Sequence, residues 1–103
     1  ETPPITGVYV ATAGAVELRP AMELTQILRR RGLRAALDLE GRSLKGQLRQ
    51  ANKDRFRYSV ILGTEELARG RVTLKDMIGG AQQEVPLAEV ADRLAALPER
   101  EIV

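Results

Sequence analysis

Apolar and polar positions change their spacing repeatedly between Tyr58 and Met77, and that stretch organises the reading of the whole chain. Tyr58 to Leu62 is a short apolar run rich in β-formers that ends at Gly63, the pattern of a strand covered on both faces. Thr64 is suited to cap a short helix. Glu65 and Glu66 fall in its first turn, where backbone N–H groups favour negative charge, and Gly70 stops it. From Arg71 to Met77 the positions alternate, with Val72, Leu74 and Asp76 pointing one way and Arg71, Thr73, Lys75 and Met77 the other. That alternation predicts a strand with one face in water.

The same logic extends along the rest of the chain. Val8 to Ala13 is a β-rich run closed by Gly14 and reads as a first central strand. Ala21, Leu24 and Leu28 then share one helical face, ended by Gly32 behind three arginines that suit the negative end of a helix dipole. Pro20 fits as a first-turn residue, with Gly14 to Arg19 a looser lead-in. Arg34 to Leu39 is a second strand, Glu40-Gly41-Arg42 a turn, and Ser43 an N-cap for a helix whose buried stripe is Leu44, Leu48 and Ala51. Lys45, Arg49, Gln50, Asn52 and Lys53 fill its remaining surface, making it amphipathic with a basic outer side. Gly79-Gly80 marks a turn before a short strand from Gln82 to Val85, so the last two strands form an antiparallel hairpin. Leu87, Val90, Ala91, Leu94 and Leu97 stripe a final helix that begins at Pro86 and is terminated by Pro98. Strands alternating with helices, then a hairpin and a helix, predict an α/β fold: a mainly parallel sheet with helices on both faces and one antiparallel strand.

Composition bounds the chemistry. A chain of 103 residues that is 44% hydrophobic makes one domain with a modest core of Val, Ile, Leu and Ala. With no cysteine and no histidine, thiol catalysis, Cys/His zinc sites and histidine bases are all excluded. No apolar run approaches the roughly 20 residues that span a bilayer, and no leader pattern is present, so the chain is expected to be soluble and cytoplasmic, with no membrane partner. Its Pro-rich beginning, Glu1-Thr-Pro-Pro, reads as the end of a linker over residues 1–7 and suggests a piece of a larger protein.

The net charge of +2 conceals an asymmetry: between Arg29 and Arg57 stand ten basic residues against Asp38, Glu40 and Asp54. Such clustering makes a local positive field to which phosphate backbones respond, although a solvated helix face would give the same pattern. Catalytic constellations are lacking. Glu65 and Glu66 read as dipole partners rather than an acid/base pair, and Ser43 with Lys45 as a cap beside a solvated lysine. Gly41-Arg-Ser and Gly79-Gly80 match neither a P-loop nor a dinucleotide fingerprint. Tyr9, Phe56 and Tyr58 are the only aromatics, too few for base-stacking platforms, so base reading would rest on polar and charged side chains.

Four segments in register, Gly41-Arg-Ser-Leu-Lys-Gly-Gln-Leu48, Ile61-Leu-Gly-Thr-Glu-Glu-Leu67, Gly70-Arg-Val-Thr-Leu-Lys-Asp76 and Val85-Pro-Leu87, resemble the C-terminal anticodon-binding domain of class II histidyl-tRNA synthetases. The likeness runs from about Val8 to Leu97 and delimits a domain over residues 8–98 with a tail over 99–103. It implies a three-layer α/β/α domain, its five-stranded mixed sheet in the order 2-1-3-4-5 with strand 4 antiparallel, as in the class IIa anticodon-binding domains. It also implies docking on the anticodon stem-loop of a tRNA with the histidine anticodon GUG. Aminoacylation, with its ATP and Mg2+, would belong to a class II catalytic domain whose motifs are absent here, in a parent expected to be a homodimer. By itself the chain should be neither an enzyme nor a cofactor binder.

In related class IIa enzymes an acid in the short helix after strand 3 and a basic residue on strand 4 read anticodon bases, and the resemblance carries these roles to Glu66 and Lys75. Carboxylates accept from exocyclic amines and lysines donate to base carbonyls of an unstacked loop, so the chemistry suits the task. Glu65, Thr73 and Asp76 are near enough to share it; Arg55 matches a position that is basic in some relatives, and Arg42, Lys45 and Arg49 are candidate phosphate contacts. Ala13-Gly-Ala-Val16 and Pro20 depart from the family, which often has polar residues there. Two other readings stand beside this one: a paralogue serving as a regulatory or protein-interaction module, and a flavodoxin-like small-nucleotide binder. Convergence of Glu66, Lys75 and the basic patch on one surface favours RNA over the former, and Ala13-Gly14-Ala15 is a poor phosphate loop for the latter.

Overall fold

The computed structural model describes residues 4–14, 16 and 18–97. Its elements follow in the order β1 (Val8–Ala13), α1 (Leu18–Arg30), β2 (Ala35–Leu37), α2 (Leu44–Lys53), β3 (Tyr58–Gly63), α3 (Thr64–Ala68), β4 (Arg71–Asp76), β5 (Gln82–Pro86) and α4 (Leu87–Ala96). The five strands form one sheet in the order β2-β1-β3-β4-β5. β1 runs parallel to β2 and β3, whereas β4 is antiparallel to both β3 and β5.

Strand alternation divides the core into two layers. Val8, Val10, Tyr58, Val60, Leu62, Val72, Leu74 and Val85 point to one side and pack with Ala21, Leu24 and Leu28 of α1 and Val90 and Leu94 of α4. Tyr9, Ala11 and Ile61 point to the other side, where they meet Ala51 of α2 and Phe56, flanked by Leu44, Leu48 and Met77. The central β3 is buried along its whole length, as its unbroken apolar run requires. The sheet is thus sandwiched between α1 with α4 and α2, the three-layer arrangement implied by the resemblance.

Several local readings are corrected. The cap of α3 is Gly63, with no side-chain hydrogen bond, because β3 stays extended through that residue and Thr64 is already helical. α1 begins at Leu18, so Leu18 and Arg19 belong to the helix rather than to a lead-in. β2 spans three residues, not Arg34 to Leu39, since Asp38 turns to bond Arg42. β5 runs one residue further than expected, to Pro86. Thr6 and Gly7, read as linker, are bonded into the body: Thr6 N donates to Arg55 O, and Tyr58 N donates to Gly7 O. Pro98 as terminator, the start of the linker at residues 1–3 and the tail at 99–103 lie outside the described residues, as do Ala15 and Glu17 of the departing loop.

Two helices end in the same motif with different residues. After α1, Gly32 N donates to Arg29 O and Leu33 N to Leu28 O, with Gly32 at φ +83°. After α2, Arg55 N donates to Asn52 O and Phe56 N to Ala51 O, but the left-handed position is held by Arg55 at φ 61°. Both are Schellman closures, and glycine fills that position without a Cβ penalty. Replacing Arg55 with glycine is therefore expected to raise stability by about 1 kcal/mol, read as a higher denaturation midpoint at unchanged m-value.

Candidate nucleic-acid interface

Helix α2 covers only part of its side of the sheet. On that same side β4 presents Arg71, Thr73 and Lys75, all half-buried, and β5 presents Gln82 and Glu84, both exposed. The result is an open half-sheet beside α2.

Glu66 reaches this face from above. A Cβ built on Gly63 would have the Glu66 carboxyl as its three nearest atoms, which puts that carboxylate over the end of β3. In the β3–β4 register Thr73 lies opposite Ile61 and Lys75 opposite Ser59. Gly63 and Ser59 are four residues apart on one side of β3, about 13 Å at roughly 3.3 Å per residue. Glu66, Thr73 and Lys75 accordingly line one strip with the acid at one end and the lysine at the other. Glu65 occupies the same first turn of α3 and is exposed.

The remaining expected residues divide. Asp76 points to the opposite side of β4 and is committed to the hairpin: it pairs with Arg57 and accepts from the Ile78 and Gly79 amides. Its partial burial raises its pKa, but the Arg57 guanidinium and those amides bring it below the ordinary aspartate value. Asp76 thus holds the hairpin turn, on the side of the sheet away from Thr73 and Lys75. Arg42 is likewise held, 2.5 Å from Asp38 and 3.3 Å from Glu40. Burial pushes the Asp38 carboxyl up, yet the Arg42 main-chain amide and guanidinium pull it below the usual range. This pair stabilises the fold above the ordinary aspartate pKa, and the contribution fades as pH falls through the lowered value. Arg55 occupies the strained turn after α2.

Lys45 and Arg49 stay available because of how α2 is seated. β2 stops at Leu37, which faces Val10, leaving the next β2-directed backbone groups of β1, at Thr12, without a strand partner. Gln47 replaces it: Thr12 N donates to Gln47 Oε1 at 2.9 Å, while Gln47 Nε2 donates to Thr12 O at 2.9 Å and to Arg42 O at 2.8 Å. Gln47 thus leans toward the β2 side. Lys45 and Arg49, each two residues away at about 100° per residue, lie on the other side of the helix and are exposed to solvent. Lys53, one turn beyond Arg49, continues the line at an exposed position.

Much of the basic cluster has structural work instead. Arg29 donates to Ala35 O, Arg31 pairs with Asp92, and Arg57 stacks on Tyr58. Arg34 donates to the carbonyls of Thr6, Arg55 and Asp54 while its guanidinium covers Phe56 at 3.8 Å. Arg69 and Arg71 share Glu84 across the hairpin, and the Arg69 guanidinium holds that carboxylate below its ordinary pKa. Among the described residues no helix is long and apolar enough to cross a membrane, and no cluster of acids is placed to hold a metal ion.

A family model described as an anticodon binding domain matches residues 7–97. The chain belongs to the anticodon binding domain family. This anticodon-binding domain is 50% identical over 94 residues to a histidine–tRNA ligase of Moorella thermoacetica, an alignment covering 89% of the chain and 22% of that protein. It superimposes on the histidyl-tRNA synthetase of Nostoc sp. PCC 7120 with a TM-score of 0.78 and 33% identity, over 96% of the chain and 23% of the synthetase. The RNA binding domain of threonyl-tRNA synthetase from Cryptosporidium parvum shares the fold at TM-score 0.80 and 17% identity, over 93% of this chain and 25% of that one. The domain spans about a fifth of the length of the curated relatives it matches.

Proposed function

We propose that this domain recognises the anticodon stem-loop of a tRNA, as part of a histidine–tRNA ligase whose aminoacylation chemistry resides elsewhere in the protein. The observation that carries the reading is the open half-sheet, where Glu66, Thr73 and Lys75 share one strip beside α2, on a domain of the anticodon-binding family. An unstacked base laid on this strip meets an acceptor at one end and a donor at the other, while Lys45 and Arg49 on the neighbouring helix suit phosphates. The anticodon GUG, that of histidine, belongs to the same proposal. ATP and magnesium, the dimeric state and the cytoplasmic location belong to the larger ligase under the same proposal.

The test is a titration of the chain with a stem-loop RNA carrying GUG and with a scrambled-loop control at two salt concentrations. GUG-specific NMR shifts at Thr64–Glu66 and Arg71–Lys75 are the expected result; identical, salt-erased shifts with both RNAs would overturn the reading. Lys75→Ala should weaken binding to the GUG loop selectively, by roughly 1–3 kcal/mol. Arg49→Ala should weaken both RNAs alike and reduce the magnitude of the salt slope by about 0.7. Equal losses on both loops for Lys75→Ala would remove it from base reading.

A further inference from the structure

Gly63 is the last residue of β3 and the cap of α3, and its backbone does not need glycine: φ is −97° and ψ 155°, extended geometry open to any residue. What its missing side chain provides is room. A Cβ there would overlap Glu66 Oε1 and stand 3.3 Å from Cδ and 3.9 Å from Oε2. Its side of the strand is the one shared by Ser59 and Ile61, which face Lys75 and Thr73 on β4.

We propose that Gly63 is a positioning residue for base selectivity: the bare end of β3 lets the Glu66 carboxylate lie down on the open half-sheet, in line with Thr73 and Lys75. A side chain at residue 63 lifts the carboxylate off the sheet and out of that line. Only the far end of a flexible glutamate has to move, so the substitution leaves the fold in place and changes where the negative charge sits. This inference rests on the RNA-reading proposal above and names the residue that sets its geometry.

Gly63→Ala tests it in two stages. In the free protein, the Glu66 Cγ and Cδ resonances should shift while the melting temperature stays close to that of the parent. With RNA, the preference for the GUG stem-loop over the scrambled loop should drop by about tenfold, the scale of one charge-assisted hydrogen bond. In a Glu66→Ala background, Gly63→Ala should cause no further loss of preference. Unmoved Glu66 resonances, unchanged preference, or an equal loss in both backgrounds would each overturn the inference. Absence of any GUG preference in the unsubstituted chain is a different failure, visible before any substitution: it would overturn the RNA-reading proposal, and this inference with it.

Discussion

Gln47→Ala is expected to destabilise the domain by about 3 kcal/mol, lowering the melting temperature by more than about 10 °C. Gln47 is 2% exposed, and its amide does for β1 what a longer β2 would do, accepting from one peptide N–H and donating to the C=O of the same residue. Truncation orphans both Thr12 groups and the Arg42 carbonyl together. Gln47 is buried between the end of β1 and the start of α2, with Thr12 and Arg42 half-buried around it, so water replaces those bonds only in part. Gln47→Glu separates the contributions, since it keeps an acceptor for Thr12 N but at neutral pH offers no donor to either carbonyl. Thermal melts should rank the parent above both variants. A Gln47→Ala melt within about 2 °C of the parent would mean that the clamp is dispensable.

Gly7→Ala should cost about as much, roughly 3 kcal/mol, by a different route. Gly7 has φ +87°, and a Cβ there would stand 2.6 Å from the Arg34 carbonyl oxygen and 2.9 Å from the Arg34 Cβ. That oxygen cannot retreat, because it accepts from Val8 N at 2.8 Å where β1 joins β2. Gly32→Ala is the natural control: φ is +83°, but nothing stands within 4 Å of a Cβ, so only the conformational penalty of about 1 kcal/mol applies. Denaturant melts of the two variants should therefore differ by about 2 kcal/mol, and equal losses would remove steric overlap from the account of Gly7.

Sequence and structure agree most closely where one residue's surroundings come from its own element. The unbroken run of β3, the alternation of Val72 and Leu74 and the Ala21, Leu24, Leu28 stripe all point to their observed burial, because period alone selects a face. The shared face of Thr73 and Lys75 is legible in the same way. What escapes the sequence depends on pairs brought together by tertiary register. A glutamine in a helix reads as solvent-facing unless it is known that β2 stops at Leu37 and leaves the β2-directed groups of Thr12 without a strand partner. Nothing local distinguishes Arg57, tied to Asp76, from Lys45 and Arg49, which stay available; Asp76 reads only as a strand residue on the side of Val72 and Leu74 until the hairpin turn folds back on it. One signal was present: Asp38 and Arg42 are four residues apart across a Gly-containing turn, close enough for a local ion pair. Positive charge in the sequence thus overstates the charge offered to a phosphate, since the arginines with carbonyl or carboxylate partners serve packing first.

The two outer strands have one more consequence. β2 is three residues long, and β5 carries exposed Gln82, Gln83 and Glu84 and closes with Pro86, which has no N–H to offer. Short length, polar side chains and proline are the devices by which sheets discourage a foreign strand from docking at the rim. The domain leaves half of one sheet face bare while its edges stay unattractive, so the open face does not bring with it a template for aggregation.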